Sequence, residues 1–222
     1  MIPRGAYPAD RAAALSGVPQ STVHYWSRQE ILVPTISPER VKLWSYADLM
    51  GLRTIYWLRQ AKTTEEGARV PRSSMPAVKR ALSQLAELDL DLWSEEAGPT
   101  VRVDHAGAIH LITEPNLEVA HRQRALESED QLDLLAPFPV REGAKGPHLI
   151  TPRPHLRIVP GKLGGSPHVV HTRLESQALG GLALAGLATA KIYRLYPDVD
   201  PPAIDDALDL ERQLASNLRL AA

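Results

Sequence analysis

The sequence between Tyr7 and Pro34 contains a turn that permits only a few chain paths. An alanine-rich run with high helix propensity leads into Gly17, which can adopt the left-handed conformation that ends a helix. Pro19 lacks a backbone N–H and cannot continue that helix, although it can stand just before another one. This spacing predicts two short helices joined by a compact turn, the first ending at Gly17 and the second starting near Gln20.

The second predicted helix has one apolar face and one polar face. Val23 and either Trp26 or Ser27 recur at helical spacing and can face Leu15 and Val18. The outward face contains no acid and consists of Gln20, Ser21, Thr22, His24, Tyr25 and Arg28. Hydroxyl, amide and guanidinium groups bind phosphate oxygens and base edges, so we predict the recognition helix of a helix-turn-helix that binds duplex DNA. The alternative is an ordinary helical hairpin with a solvated polar face.

The segment from Tyr7 to Pro34, followed by the run from Tyr46 to Arg59, resembles the DNA-binding domain of MerR-type regulators. In that family a short winged segment separates the recognition helix from the next helix. The resemblance implies a wing from Leu32 to Trp44, in which Arg40 and Lys42 contact backbone phosphates. The usual Gly-Tyr-Arg-x-Tyr approach to the next helix is replaced here by Val-Lys-Leu-Trp-Ser-Tyr.

Charge is distributed unevenly along the chain, although the formal net charge is only −1. Residues 1–62 contain eight Lys and Arg against four Asp and Glu, residues 63–140 seven against fourteen, and residues 141–222 ten against eight. A basic N-terminal segment followed by an acidic middle segment is typical of a modular DNA-binding protein whose remaining part binds another protein. Ordinary surface variation is the alternative. We therefore predict a DNA-binding domain over 1–62, a connecting region over 63–140 and a C-terminal domain over 141–222.

The connecting region shows several local patterns. Gly, Pro, Thr and Arg between Lys62 and Ser73 predict a linker or a long turn, and an apolar stripe after it predicts a helix. Two β-branched runs, Thr100 to Val103 and Ala108 to Ile112, flank a short Gly-containing loop and predict a β-hairpin. The run from Leu117 to Leu135 predicts an acidic helix. The proline-rich stretch from Ala136 to Pro154 predicts a domain boundary.

The C-terminal part contains the runs Gly164-Gly165-Ser166-Pro167-His168-Val169 and Thr172-Arg173-Leu174, and later Tyr196-Pro197. These motifs resemble the family catalogued as domain of unknown function 433 (DUF433). That family has Gly-Gly-x-Pro-x-Ile, then Gly-Thr-Arg-Ile, then Tyr-Pro between helices, and His171 stands where its Gly before Thr-Arg is usual. Arg157–Val159 and His168–Val170 predict a short strand pair, followed by three amphipathic helices.

The predicted fold is therefore mainly α. It comprises an N-terminal MerR-like winged helix-turn-helix, a connecting helix plus β-hairpin, and a C-terminal three-helix domain with a short strand pair.

Together the two resemblances imply a VapB-type antitoxin of a type II toxin-antitoxin system. Its partner would be a PIN-domain ribonuclease toxin, and it would also repress the promoter that the two genes share. PIN-type nucleases hold magnesium in an acidic cluster, so Arg157 and Arg173 are candidates for insertion into that cluster by carboxylate pairing. The alternative role for Arg173 is to hold the local turn by bonding backbone carbonyls.

A homodimer is expected, because one recognition helix offers too few base contacts for tight specific binding to promoter DNA. The alternative to the antitoxin is a stand-alone MerR-like regulator whose C-terminal domain dimerises or senses a ligand.

Catalytic and nucleotide-binding motifs are missing from the sequence, so we expect no enzyme, no cofactor and no metal. A metal-assisted enzyme is the alternative from another class, since four histidines gather near the C-terminus: His148, His155, His168 and His171. His168 and His171 could in principle share a metal, but they are three positions apart. On a strand, residues at that spacing point to opposite faces, which argues against a shared site. The chain has no Cys, and its longest apolar run, Ala178 to Ala190, is too short to span a bilayer, so we expect a cytoplasmic protein that does not bind membranes.

Overall fold

The computed structural model describes residues 5–63, 69–80, 100–103, 109–112, 131–139 and 144–220. The chain divides into two compact units, one formed by Met1–Met50 with Leu135–Ala222 and the other by Gly51–Leu134. The fold is mainly α with short antiparallel strand pairs, as the sequence predicts. The predicted domain boundaries at residues 62 and 140 stay predictions.

The helices are short except for the last one. In chain order they are α1 (Ala9–Ser16), α2 (Gln20–Arg28), α3 (Tyr46–Leu58), α4 (residues 75–80, the described part), α5 (Ser176–Leu184), α6 (Thr189–Leu195) and α7 (Pro201–Leu220). Within the described residues, no helix is long and apolar enough to cross a membrane.

The strands all pair antiparallel. In chain order they are β1 (Tyr7–Pro8), β2 (Leu43–Trp44), β3 (Lys62–Thr63), β4 (Arg69–Val70), β5 (Thr100–Val103), β6 (Ile109–Ile112), β7 (Gln131–Asp133), β8 (Phe138–Pro139), β9 (Lys145–Gly146), β10 (Leu156–Arg157) and β11 (His168–Val169). The pairs are β1 with β2, β3 with β4, β8 with β9 and β10 with β11, and β5 lies between β6 and β7.

In the first unit, residues 5–7 lie against the C-terminal part. The Tyr7 hydroxyl donates to the Gly165 carbonyl at 2.8 Å, and the Gly5 and Ala6 amides donate to Pro160 and Gly164 at 3.0 and 2.9 Å. Gly164 and Gly165 have φ of 60° and 79°, and a Cβ on Gly165 would collide with the Tyr7 hydroxyl. Positive φ therefore favours glycine at both positions, and the close approach of Tyr7 adds a second restriction at Gly165.

Helices α1 and α7 pack together and form the centre of this unit. Both Arg11 Nη atoms donate to the carboxylate of Glu211 at 2.7 Å, with side chains only 13% and 15% exposed. The Asn217 amide donates to the carbonyls of Ala14 and Lys145 at 3.1 and 3.0 Å. The first helix of the chain is thus fixed to the last by a bidentate ion pair and a buried amide.

The second unit has its own buried contacts. Arg53 is fully buried, and its Nη1 donates to the Leu134 carbonyl at 3.0 Å. The Ser73 amide donates to the Leu58 carbonyl at 2.9 Å, and Val78 is also buried. The predicted hairpin is confirmed, since β5 and β6 pair with Thr100 opposite Ile112 and Val103 opposite Ile109.

The predictions for the connecting region have different outcomes. The strand pair β3–β4, with Lys62 opposite Val70, lies within the predicted linker or long turn and favours the turn. The predicted acidic helix is contradicted at its end, because residues 131–133 form a strand beside β5. Gln-Leu-Asp alternates with period two, and pairing with β5 satisfies backbone groups that a sheet edge would leave open, so tertiary pairing overrides the helical pattern. The rest of that helix, and the predicted helix beyond residue 80, lie outside the described residues.

The C-terminal prediction is confirmed in its main features. Strands β10 and β11 pair with Leu156 opposite Val169, and α5, α6 and α7 follow. His171 has φ of 60°, in the left-handed region, which explains why Gly is usual at this position of the DUF433 pattern.

Replacement of Tyr7 by Phe should lower the free energy of unfolding by about 1–2 kcal/mol, because the buried Gly165 carbonyl loses its donor. Tyr25→Phe is the matched control, since Tyr25 is 51% exposed and its change should stay within about 0.5 kcal/mol. Urea unfolding of the full chain measures both. Equal effects of the two substitutions would contradict the role assigned to Tyr7.

His171→Gly should raise the free energy of unfolding by about 0.5–1 kcal/mol, because glycine adopts positive φ without the Cβ strain that His171 bears. His171→Ala keeps a Cβ and should give no such gain. The same urea titration compares them, and a gain for alanine as large as that for glycine would show that φ is not the cause.

Candidate nucleic-acid interface

The turn between α1 and α2 is held by backbone geometry and by one serine. Gly17 has φ of 81°, and its amide donates to the Ala13 carbonyl at 2.9 Å. The hydroxyl of Ser16 donates to the same carbonyl and accepts from the Val18 amide, both at 3.2 Å. Helix α1 ends where the sequence predicts, and α2 starts at Gln20 as predicted.

Helix α2 buries the predicted face. Val23, Trp26 and Ser27 are buried, whereas Ser21, Tyr25 and Arg28 are exposed. The other three predicted contact residues, Gln20, Thr22 and His24, are half-buried at the edge of the outer face. The helix thus presents three exposed donors along one side, and none of its nine residues is acidic.

The end of α2 redirects the chain towards the wing. The Glu30 amide donates to the Ser27 carbonyl at 3.3 Å and the Ile31 amide to the Trp26 carbonyl at 2.9 Å, while Glu30 itself has φ of 51°. This is the Schellman pattern, in which a residue in the left-handed conformation closes the helix.

The predicted wing contains a short hairpin between Ser37 and Leu43, whose amides and carbonyls bond at 2.9 and 3.1 Å. Arg40 and Val41 are exposed at its tip. Lys42 is half-buried, and its Nζ donates to the Ser27 hydroxyl on α2 at 2.6 Å. The structure therefore brings Lys42 against α2, the predicted recognition helix, and leaves Arg40 exposed to solvent.

The buried carboxylate of Asp48 fixes the base of the wing, a role that the sequence alone did not reveal. Asp48 accepts hydrogen bonds from the Thr35 amide and hydroxyl at 3.0 and 2.9 Å and from the Ser45 amide at 2.7 Å. The Ser45 hydroxyl in turn accepts from the Asp48 amide at 3.1 Å, which completes a capping box at the start of α3. Burial raises the pKa of the Asp48 carboxyl, and its hydrogen bonds with Thr35 and Ser45 oppose that rise. The Ser-x-x-Asp spacing is the sequence signal that identifies this cap.

The surface around the wing contains charges of both signs. Arg28, Arg40 and Lys42 are accompanied by the exposed acids Glu30 and Glu39, so this part of the surface carries a small positive charge. Neither Arg28 nor Arg40 has a hydrogen bond or ion pair with another described residue. Both guanidinium groups are therefore available to an external anion.

The two arginines predicted to contact a toxin differ in their surroundings. Arg157 is half-buried, and its Nη1 donates to the Leu156 and Pro154 carbonyls at 2.8 and 3.1 Å. Arg173 is exposed and has no partner in the part of the chain that the structure describes. The turn beside it is held instead by Thr172, whose hydroxyl donates to the Val169 carbonyl at 2.9 Å, and by Lys162, which donates to the Thr172 carbonyl at 2.7 Å.

The C-terminal histidines serve local structure. His168 is buried, its Nδ1 lies 3.0 Å from the Ser166 carbonyl, and burial lowers its pKa. His155 is paired with Asp206 at 2.8 Å, whereas His171 is exposed. Among the described residues, no three His, Asp or Glu side chains are grouped so that they could hold a metal ion.

Comparison with known families agrees with this geometry. Residues 7–71 match the model of the MerR HTH family regulatory protein, and this segment includes the turn, α2, the wing and the Asp48 cap. The chain carries a MerR-family helix-turn-helix domain. That domain indicates a DNA-binding regulator. Residues 157–209 match the model of a protein of unknown function, DUF433, and so form a DUF433 domain. Comparisons with curated proteins and with solved structures find no match.

Proposed function

We propose that this protein is the antitoxin of a type II toxin-antitoxin system, which binds its own promoter and neutralises a PIN-domain ribonuclease. The observation that carries the DNA-binding part is the acid-free outer face of α2, with Ser21, Tyr25 and Arg28 exposed beside the wing. In this proposal α2 enters the major groove, and Arg28, Arg40 and Lys42 contact phosphates. The half-buried Gln20, Thr22 and His24 complete the contact set at the edge of the helix.

Lys42 has a second role in the proposal. An ammonium has three N–H donors, and the Ser27 hydroxyl accepts only one of them, so the same group can hold the wing and bind a phosphate. A homodimer is part of the proposal, because two related half-sites multiply the affinity that a single recognition helix provides.

The toxin-binding part is supported by Arg173. Thr172 and Lys162 already hold the turn, so the fold does not use the Arg173 guanidinium, which remains exposed and charged. Such a group can pair bidentately with carboxylates of a partner. Arg157 shares its guanidinium with two backbone carbonyls, and the proposal therefore gives the main contact to Arg173.

Arg28→Ala and Arg40→Ala should each weaken binding to the promoter and reduce the slope of log K against log salt concentration by about 0.9, the value for one lost phosphate contact. Fluorescence anisotropy over a range of salt concentrations gives both quantities. Arg194→Ala is the control, since Arg194 is an exposed arginine on α6, outside the helix-turn-helix domain. If the slope is unchanged in both Arg28→Ala and Arg40→Ala, neither arginine contacts a phosphate.

Co-expression with the product of the adjacent gene tests the toxin-binding part. A PIN-like neighbour that is toxic alone should co-purify with this chain, and growth should be rescued. Arg173→Ala should abolish rescue while the thermal unfolding curve stays unchanged, Arg173→Lys should restore it in part, and Arg194→Ala should rescue fully. Full rescue by a folded Arg173→Ala variant would exclude the insertion of Arg173 into the toxin.

A further inference from the structure

A pocket of about 700 Å³ lies in the C-terminal part of the first unit. Its described lining residues are Pro137, Lys145, Gly146, Pro147, His148, Thr151, Pro152, Arg153, Pro154, Arg157 and Gln213. This volume falls within the range of sites that bind small molecules. The helix-turn-helix assignment does not involve this pocket.

The lining is positively charged. It contains Lys145, Arg153 and Arg157, and none of the described lining residues is Asp or Glu. Arg153 is paired with Asp209 at 2.8 Å and bonds Gln213, so its charge is largely compensated. Two cations of the pocket, Lys145 and Arg157, have no carboxylate partner among the described residues.

Both of these cations keep donors available. Only Nη1 of Arg157 is bonded to backbone carbonyls, which leaves Nε and Nη2 without a described partner. The side chain of Lys145 is exposed, and its ammonium likewise has no described partner. A guanidinium and an ammonium that line one pocket are suitable donors for a carboxylate or phosphate group.

His148 also lines the pocket, and the backbone holds its ring in place. Its Nδ1 accepts hydrogen bonds from the Ile150 and Thr151 amides, both at 3.1 Å.

Four prolines form much of the remaining lining. Pro137, Pro147, Pro152 and Pro154 line the pocket, and each fixes its own φ without contributing an N–H. Their rings offer an apolar surface to a ligand that has a hydrocarbon or aromatic body.

We propose that this pocket binds a small organic anion, with a carboxylate or phosphate group on Arg157 and Lys145 and an apolar body against the prolines. The assignment depends on the geometry of the pocket alone and does not require that the chain bind DNA or a toxin.

The pocket is connected to the helix-turn-helix through α7. Gln213 of α7 lines the pocket and donates to the Lys145 carbonyl, while Asn217, one turn further on, bonds both the Lys145 backbone and the Ala14 carbonyl of α1. A ligand that shifts Lys145 therefore acts on the residue that fixes α1. We expect the bound anion to change the affinity for DNA by about fivefold or more, and this second step rests on the proposed DNA-binding function.

Isothermal titration calorimetry of the full chain at constant ionic strength tests the site, with phenyl phosphate, benzoate and neutral benzyl alcohol as probes. At least one anion should bind saturably and the alcohol should not, and comparison of the two anions distinguishes phosphate from carboxylate recognition. Arg157→Gln and Lys145→Gln should each weaken binding about tenfold, equivalent to about 1.4 kcal/mol. Arg194→Gln, outside the lining, should leave it unchanged.

Absence of saturable binding by both anions, or an equal loss in Arg194→Gln, would overturn the site. If Arg157→Gln fails to fold, Lys145→Gln still tests the site, because the exposed Lys145 side chain can be replaced without disturbing the core. DNA affinity is then measured by anisotropy with and without the bound anion. Anion binding with unchanged DNA affinity would refute the coupling, whereas loss of DNA binding in every condition would refute the proposed function and leave the anion site in place.

Discussion

The ion pair between Arg11 and Glu211 is the interaction on which the first unit depends. Two guanidinium nitrogens meet two carboxylate oxygens at 2.7 Å, and the Ser176 hydroxyl donates to the same carboxylate at 2.5 Å. Both charges are mostly removed from water, so each needs the other: loss of one partner leaves an uncompensated charge at a helix–helix contact. Residues 200 positions apart are joined in this way, and the first and last described helices share one core.

The contacts between α1 and α7 also help to position α2, the predicted recognition helix. Helix α1 is fixed to α7 by the ion pair and by Asn217, and α2 is fixed to α1 across the Gly17 turn. The position of α2 is therefore set by α7 as well as by the wing. A conformational change that moved α7 would therefore act on α1 and α2, and so on the face proposed to bind DNA, because packed helices move as discrete bodies and do not deform continuously.

Structure that depends on neighbouring residues could be predicted from the sequence, whereas contacts between residues far apart in the chain could not. Gly17 and Pro19 predict the turn, and period-two alternation predicts the hairpin β5–β6, because each signal lies within a few residues. The bond of Tyr7 with Gly165 spans 158 positions, and no local pattern encodes it. Strand β7 was missed for the same reason, since its pairing with β5 outweighs a local helical pattern. In the candidate interface the exposed face of α2 was predictable, whereas the contact of Lys42 with Ser27 required the folded wing.

The arginines illustrate why a sequence motif alone does not assign a role. Arg53 is fully buried with its guanidinium on the Leu134 carbonyl, and Arg11 is paired with Glu211, so the fold itself uses these two charges. Arg28, Arg40 and Arg173 are exposed and have no partner among the described residues. An arginine remains charged at any physiological pH, and one that folding leaves unpaired keeps its full capacity to bind an external anion. Two of these three lie on the helix-turn-helix domain and the third at the Thr-Arg turn, so the surfaces proposed for DNA and for the toxin each contain arginines that have no partner within the described fold.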